Sequence, residues 1–402
     1  MVVNRTRSLA VLLALLGVFV AVNASGQRFQ PQPPQFGDPL PGITAAEFER
    51  FRVGLEDFLE VEDSEEGLGP IFNERSCAGC HNIPAIGGGG TITEIRAGRR
   101  NPDGSFEDLP GGSLFQLFSI PPHNCQEVIP AEANVVAARK SIPLFGTGLV
   151  EAIPDETLAS LADPEDQDGD GISGRVHLVF DIATQTTRAG RFGWKAQQAT
   201  LLSFSAQAYQ EEMGITNELF PAENAPNGEE HRLADRLAPC DPVRGVEDIP
   251  DLSTGLRGID NFEAFLRFLG PPPRGEITAE VLRGEQIFAQ VKCASCHVPV
   301  LFTGPSPNPV FDRRPVALFS DLLLHDIGTG DGIVQGDARG EEIRTQALWG
   351  LRVRRGLLHD GSAATVTAAI LRHNQEGAEA RRLFQALSEQ DTEALLAFLD
   401  SL

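Results

Sequence analysis

The chain has 402 residues, with 33 lysines and arginines against 56 aspartates and glutamates, which gives a formal net charge of −23. A chain this acidic cannot hold a phosphate backbone, so nucleic-acid binding is excluded. Roughly 360 residues remain after an N-terminal leader, which is enough for two or more domains with hydrophobic cores of their own.

The first 26 residues have the pattern of a secretory signal peptide. Arg5 and Arg7 precede an apolar run, Leu9–Val22, which ends at small residues. About 14 apolar residues are too few to span about 30 Å of hydrocarbon as a helix. We therefore expect a periplasmic or otherwise exported protein that does not span the membrane after signal cleavage. Residues 27–43 are rich in Pro and Gln and predict a flexible lead-in.

Two segments with the same plan follow, and their ranges are 44–270 and 275–402. Each has an amphipathic helix, then a Cys-x-x-Cys-His pentapeptide, then loops and a final amphipathic helix. Gly270 and the three prolines after it end the first segment. Gly284, in the helix before the second pentapeptide, would allow a close helix crossing, and the alternative is a glycine that the helix merely tolerates.

This plan is the layout of a small haem domain, in which two terminal helices pack together and the middle of the chain wraps a porphyrin. The predicted fold class is therefore mainly α, with two haem domains. The first domain is enlarged by a long loop-rich insertion, roughly residues 91–255.

The pentapeptides contain four of the six cysteines. Cys77 and Cys80 precede His81, and Cys293 and Cys296 precede His297. Zinc explains the cysteines but neither the two equally placed histidines nor a gap of more than 200 residues between half-sites. A redox dithiol would be expected in a β-α-β context. Two covalently bound haem c groups explain cysteines and histidines together, with each His as an axial iron ligand.

The two remaining cysteines, Cys125 and Cys240, either form a disulfide bond, as is typical of an oxidising compartment, or stay as buried thiols. The sixth iron ligands are limited by composition. Met213 is the only methionine after signal cleavage and Tyr209 is the only tyrosine. Other ligands must come from the remaining histidines, or a site is open; those histidines are His123, His177, His231, His325, His359 and His373.

His325 and His359 each follow an apolar run and precede Asp. Each is a candidate iron ligand, and the alternative is a His near the haem edge that is hydrogen-bonded to a propionate or to the backbone. Trp194 is a candidate electron relay between two redox centres, and core packing is its alternative.

The segment "DQDGDGISG" places Asp166, Asp168 and Asp170 at alternate positions, as in the first half of a calcium loop. His177 stands where a complete EF-hand has Glu. We expect either a calcium-held surface loop or a solvated acidic turn.

Seven motifs in one order resemble the bacterial di-haem oxidoreductase family, whose members are described as peroxidases and sometimes labelled thiol oxidoreductases. The resemblance covers nearly all of Gly67–Leu402; its motifs are "GLGPIFNERSCAGCH", "DQDGDGISGRVH", "GRFGWKA", "EEMGIT", "DLLLHDIG", "IRTQALWGL" and "LLHDGSA". The second segment is more distantly similar to the second domain of di-haem cytochrome c peroxidases and their protein-oxidising and rubber-cleaving relatives.

The resemblance implies two cytochrome c-like haem domains. One haem would receive electrons and the other would reduce hydrogen peroxide at an open distal face. It also places His325 and His359 beside the second haem. Those peroxidases have a Met or Tyr just before the segment that matches "IRTQALWGL", where this chain has Glu341 and Glu342. A His or carboxylate ligand, or an open second haem, therefore becomes an alternative. Glu151, in an apolar surround, is the predicted distal proton shuttle, with a structural carboxylate as its alternative.

The sequence thus predicts an exported peroxidase that reduces hydrogen peroxide or another small oxidant. Its predicted partner is a small electron-donor protein, a cytochrome or a copper protein. Two alternatives are an electron-transfer cytochrome with no catalytic activity and an oxygenase or protein-modifying oxidase on the same scaffold.

Overall fold

The computed structural model describes residues 33–121, 125–228, 240–241, 243 and 245–402. The predicted signal peptide, His123 and His231 lie outside these residues. The α-helices are α1 (Ala45–Leu59), α2 (Cys77–Cys80), α3 (Thr147–Glu151), α4 (Asp155–Leu161), α5 (Leu201–Met213), α6 (Gly258–Phe268), α7 (Ala279–Gln290), α8 (Val366–Leu371), α9 (Ala378–Gln385) and α10 (Glu389–Asp400).

The strands are short, apart from two. They are β1 (Ile71–Phe72), β2 (Thr93–Arg100), β3 (Phe106–Glu107), β4 (Leu114–Phe115), β5 (Phe118–Ser119), β6 (Val135–Lys140), β7 (Leu178–Asp181), β8 (Thr186–Ala189), β9 (Leu301–Phe302), β10 (Pro315–Val316), β11 (Leu324–His325) and β12 (Ile343–Arg344).

The helix before the first pentapeptide packs on the last helix of the first segment. α1 begins at a capping box in which Thr44 and Glu47 bond each other's backbone amides. Phe51 and Phe58 on its buried face both contact Phe265 of α6, with ring centroids 5.2 and 4.8 Å apart. The helices cross at Gly54, where a Cβ would lie 2.1 Å from the carbonyl oxygen of Asn261. Only a glycine permits this approach.

The second segment repeats this arrangement with α7 and α10. A Cβ at Gly284 of α7 would lie 1.9 Å from the carbonyl oxygen of Ala394, so the predicted close crossing is confirmed. Phe288 packs on Phe398 with ring centroids 5.2 Å apart. The side chain of Ser388 caps α10 by accepting a hydrogen bond from the amide of Asp391.

The insertion of the first segment contains the main sheet. β2 pairs antiparallel with β3, β4 and β6, and the other sheets of the described residues have two strands each. The expected mainly α fold is therefore not confirmed, because loops and small sheets separate the two helix pairs. The described residues contain no helix long and apolar enough to cross a membrane.

Residues 35–402 form one compact unit. Its larger core joins Phe58 and Phe265 of the first segment to Leu323 and Trp349 of the second, while a smaller core surrounds Phe398. The proposed domain boundary at 270–275 stays a prediction.

The described part of the lead-in is not free chain, which corrects the expectation for these residues. Leu40 is buried and its amide donates to the carbonyl oxygen of Phe268, and Phe36 packs on Phe145. Phe36 and Leu40 attach this segment to the rest of the protein, and the Pro-rich composition did not predict their contacts.

Candidate haem sites

The first cavity lies beside the first pentapeptide. The single turn of α2 places Cys77, Cys80 and His81 on the cavity wall. Nδ1 of His81 lies 2.9 Å from the carbonyl oxygen of Gly88. Because a carbonyl oxygen only accepts, Nδ1 carries the hydrogen and Nε2 keeps the lone pair that a metal needs. Burial lowers the pKa of His81 to about 4, so the ring is neutral at pH 7.

The second cavity has the same arrangement around Cys293, Cys296 and His297. Nδ1 of His297 lies 3.0 Å from the carbonyl oxygen of Phe319, which again leaves the lone pair on Nε2. Burial, followed by the charge of His373, lowers the pKa of His297 to about 4. Both histidines are therefore in the neutral form that binds iron.

None of the four cysteines of the pentapeptides is part of a disulfide bond. Burial raises the pKa of each one, so they are protonated at neutral pH. No group of three possible metal ligands among the described residues contains two cysteines. This geometry gives no support to a zinc site, and the raised pKa values do not favour a reactive dithiol.

Unpartnered polar atoms inside the two cavities provide a test of whether a haem fits. Seven buried side-chain nitrogen or oxygen atoms in the described residues have no hydrogen-bond partner, and six of them belong to residues that line these cavities. In the second cavity they include Nε of Arg354 and Nδ1 of His359. Burial lowers the pKa of Arg354 to about 10, and no carboxylate offsets this effect. Unpaired buried donors fit the carboxylates of haem propionates.

Trp194 lines both cavities, together with Lys140, Ser141 and Ile142. Its indole Nε1 donates a hydrogen bond of 2.8 Å to the carbonyl oxygen of Lys140. Its ring meets His359 edge to face, with centroids 6.2 Å apart. The predicted relay residue therefore lies between the two sites, although its role stays a prediction.

His325 lies on the second cavity but both of its ring nitrogens are occupied. Nε2 is 2.9 Å from Asp321 and Nδ1 is 2.7 Å from Glu376. Burial lowers the pKa of His325, but hydrogen bonds to Asp321, Cys296 and Glu376 outweigh burial and raise it well above its usual value. An imidazolium held by two carboxylates has no lone pair for iron.

His359 also lines the second cavity, beside which the family resemblance placed both histidines. Nδ1 of His359 is buried without a partner, so the ring could serve a propionate or the iron.

Glu151 is not among the residues that line either cavity. Its carboxylate accepts from the amide of Leu201 at 2.7 Å and pairs with Arg267 at 2.8 Å. Burial raises its pKa, as the apolar surround predicted. The arrangement is that of a structural carboxylate, so the distal role of Glu151 stays a prediction without geometric support.

The structure places charged residues from distant segments on the first cavity instead. Glu94 and Arg96 of β2 are joined by a hydrogen bond of 2.9 Å from the Arg96 Nε. Glu212 of α5 accepts from Asn73 Nδ2 at 2.6 Å and hydrogen-bonds with Glu94. Sequence reasoning missed this group. Its signal was Glu94 and Arg96 two apart on one strand face, and the acidic pair inside "EEMGIT".

The pKa values of the two glutamates diverge. Burial, then the negative charge of Glu94, raises the pKa of Glu212 to about 8. Burial also raises the pKa of Glu94, but Arg96 and Arg139 outweigh burial and lower it overall. At neutral pH the pair holds one proton, which gives an acid beside a base.

The acidic loop brings together a different set of aspartates from the predicted one. Possible ligand oxygens of Asp163, Asp166 and Asp168 all lie within 4.8 Å of one another. Asp170 is not in this group; its side chain accepts from the amide of Ile172 at 2.9 Å.

Cys125 and Cys240 form a disulfide bond, which closes a loop with a sequence separation of 115 residues. The first of the two alternatives is therefore confirmed. A cross-link over a loop of this length contributes about 5 kcal/mol in the chain-entropy model.

Similarity to known proteins identifies the family of the chain. A family model described as "Di-haem oxidoreductase, putative peroxidase" matches residues 123–402. The chain therefore belongs to the di-haem oxidoreductase family, and the resemblance drawn from the seven motifs is confirmed. Membership implies oxidoreductase chemistry with two haem groups. A search of curated proteins found no match.

Three solved structures are similar at low identity. A diheme peroxidase BthA variant from Burkholderia thailandensis has 15% identity and a TM-score of 0.41, covering 92% of this chain and 88% of that one. Hydrazine synthase from Kuenenia stuttgartiensis has 14% identity and a TM-score of 0.39, covering 99% and 100%. A MauG-like protein associated with microbial copper homeostasis has 17% identity and a TM-score of 0.32, covering 70% and 93%. Scores this low carry no argument about function.

Proposed function

We propose that this protein is an exported di-haem c peroxidase that reduces hydrogen peroxide to water with electrons from a small donor protein. Cys77 and Cys80 would hold the first haem by thioether bonds, and Cys293 and Cys296 the second. Nε2 of His81 would hold the iron of the first haem, and Nε2 of His297 would hold that of the second. When bound, the haems supply the redox chemistry, namely reduction of the O–O bond and storage of electrons.

One observation carries the proposal, and it is the group of Glu94, Arg96 and Glu212 on the first cavity. Reduction of one hydrogen peroxide to two water molecules consumes two electrons and two protons. Proton transfer between the two peroxide oxygens needs an acid and a base within hydrogen-bond reach of the substrate. The protonated carboxyl of Glu212 and the carboxylate of Glu94 provide this pair.

Arg96 contributes charge in the same place. Its guanidinium is buried, donates to Ser113 Oγ at 3.1 Å and lies 3.7 Å from Glu211. A fixed cation beside the substrate stabilises the negative charge that develops on the leaving oxygen. These contacts hold the Arg96 side chain in one orientation. The guanidinium therefore needs little movement to stabilise the charge that develops during the reaction.

Electrons would enter at the second cavity and pass to the first by way of Trp194, the ring that borders both. The formal net charge of the chain without residues 1–26 is −25, because that leader contains two arginines and no acidic residue. A donor with a cationic face, a cytochrome or a copper protein, would be steered to such a surface.

Two features support export to the periplasm or beyond. The apolar run Leu9–Val22 follows two arginines, and Cys125 and Cys240 are bonded as a disulfide. Disulfide bonds persist in oxidising compartments. We also infer a calcium site at Asp163, Asp166 and Asp168, because carboxylate oxygens are the ligands that calcium prefers.

A spectroscopic experiment tests the peroxidase. Electron paramagnetic resonance of oxidised and half-reduced protein, with and without cyanide, should reveal one iron that takes an added ligand. Turnover of hydrogen peroxide with a reduced cytochrome or copper protein should follow. Two low-spin irons whose spectra change with neither cyanide nor peroxide would instead identify an electron-transfer cytochrome. Ligand binding without donor-dependent peroxide turnover would favour the oxygenase alternative.

A further inference from the structure

We propose that Nε2 of His373 is the sixth ligand of the second haem iron, with His297 as the fifth. This assignment rests on the covalent haem attachment proposed above. His373 lies between α8 and the 3-10 turn Gln375–Gly377, and it lines the second cavity with Ala369 and Ile370.

The hydrogen bonding of His373 is that of an axial ligand. Nδ1 lies 2.9 Å from the carbonyl oxygen of Ala369, so Nδ1 carries the hydrogen and Nε2 has the lone pair. His81 and His297 show the same pattern, in which a backbone carbonyl fixes the tautomer. The pentapeptides predict iron ligation for those two, whereas no sequence motif marks His373.

The other candidates for this ligand are placed less well. Both ring nitrogens of His325 are bound to carboxylates. His359 has no acceptor on Nδ1 to fix its tautomer, and its ring packs on Trp194. Met213 and Tyr209 line the first cavity and are not among the residues lining the second.

The glutamates at the Met or Tyr position of the peroxidases are also unsuitable. Neither Glu341 nor Glu342 lines the second cavity. Glu342 accepts a hydrogen bond from the amide of Arg339 at 2.7 Å and forms an ion pair with Arg175. A carboxylate committed to these partners is not available to the iron.

His373 and His297 approach the same space from different elements. His297 follows α7 and the turn Cys293–Ser295, whereas His373 follows α8. Both rings line the second cavity. Two neutral imidazoles that border one apolar cavity can bind a single iron between them.

The segment around His373 is held in place by His325. Glu376 accepts from His325 Nδ1 at 2.7 Å and from the amides of Asp326 and Ser173, each at 3.0 Å. A Cβ at Gly377 would lie 2.9 Å from Cβ of His373, so glycine is needed where the turn passes the ring. His325 is therefore a positioning residue, which accounts for its place beside the haem without ligation.

Spectroscopy of the full-length protein and of His373→Ala tests the assignment. The wild type should show one low-spin iron from the second haem and one high-spin iron from the first. His373→Ala should lose the low-spin signal and gain a second cyanide-binding iron. His359→Ala, a change in the same cavity, should keep the low-spin signal.

Two further variants exclude a loss of folding as the cause. In His373→Gly, added imidazole should restore the low-spin signal. In His373→Met, the reduction potential of the second haem should rise, because Met ligation raises it. Intact mass establishes haem attachment separately, and haem-free protein would refute the proposed function itself. A low-spin signal that survives in His373→Ala, in protein carrying both haems, would overturn only the ligand assignment.

Discussion

The indole Nε1 of Trp194 donates a hydrogen bond of 2.8 Å to the carbonyl oxygen of Lys140, and both residues border the two haem cavities. This bond fixes the ring on the shared wall. Under the proposed function, an aromatic ring in this position would connect the site where electrons enter to the site where they are used.

Replacing Trp194 with Phe should slow electron transfer from the second haem to the first without reducing haem content. Phe retains a ring but loses the hydrogen bond to Lys140, whose net worth is about 1 kcal/mol. Stopped-flow spectroscopy of the half-reduced protein mixed with peroxide measures the rate. Trp349→Phe is the matched control, because Trp349 lines the second cavity and not the first. Equal rates in both variants would contradict a relay through Trp194.

Glu212→Gln should lower peroxide turnover by about 10²- to 10⁴-fold, the usual contribution of a general acid or base. Glu151→Gln should lower stability instead, because it breaks the partly buried ion pair with Arg267. Steady-state kinetics and thermal unfolding of both variants separate the two effects. A larger loss of turnover in Glu151→Gln would restore the role that the sequence suggested for Glu151.

The peroxidase rate should also fall as the pH rises above about 8. Burial and the charge of Glu94 raise the pKa of Glu212 to about 8, so the acid form disappears above that pH. The alkaline limb of the pH profile should vanish in Glu212→Gln, which cannot titrate. If the fall in rate at high pH persists unchanged in Glu212→Gln, it arises from the titration of another group.

Because of Glu62, the folding stability should fall as the pH rises from about 4.5 to about 7. Burial raises the pKa of Glu62 from 4.5 to about 7, and Tyr209 donates to its Oε1 at 2.8 Å. Because the folded pKa is raised, the folded state binds more protons in this window, so stability is lost as pH rises through it. Thermal unfolding as a function of pH should give a flatter curve for Glu62→Gln. Parallel curves would show that Glu62 does not titrate as described.

Removing the Cys125–Cys240 disulfide should destabilise the protein by about 5 kcal/mol in the chain-entropy model. The double variant Cys125→Ser, Cys240→Ser should unfold at a lower denaturant midpoint than the wild type. Added reductant should leave the midpoint of this variant unchanged. Haem content serves as the control, since neither cysteine belongs to a pentapeptide. A wild-type midpoint that does not change with reductant would mean that the bond contributes little.

Calcium should raise the melting temperature of the wild type, and Asp168→Asn should weaken this response. Asp170→Asn is the matched control, because Asp170 lies outside the group of Asp163, Asp166 and Asp168. Calcium titration by calorimetry measures the binding directly. If both variants respond like the wild type, the loop is a solvated acidic turn.

The local features of this protein are determined by its sequence alone. Haem attachment requires only Cys-x-x-Cys-His over five adjacent residues, so both motifs can be recognised in the sequence without knowledge of the fold. The amphipathic helices and the Gly284 crossing were also predictable, because helix periodicity and glycine size act over a few turns. Composition wrongly predicted a flexible chain at Leu40, whose burial depends on a partner in α6.

The grouping of the candidate distal residues was decided by the tertiary structure. Glu94 meets Glu212 only because β2 and α5 pack against the same cavity, more than 100 residues apart in sequence. His373 has no motif of its own, and His325 is the better candidate by sequence until Asp321 and Glu376 are found on its ring. Whether a buried side chain is a ligand, a proton shuttle or a structural ion pair depends on its neighbours, and folding alone brings those neighbours together.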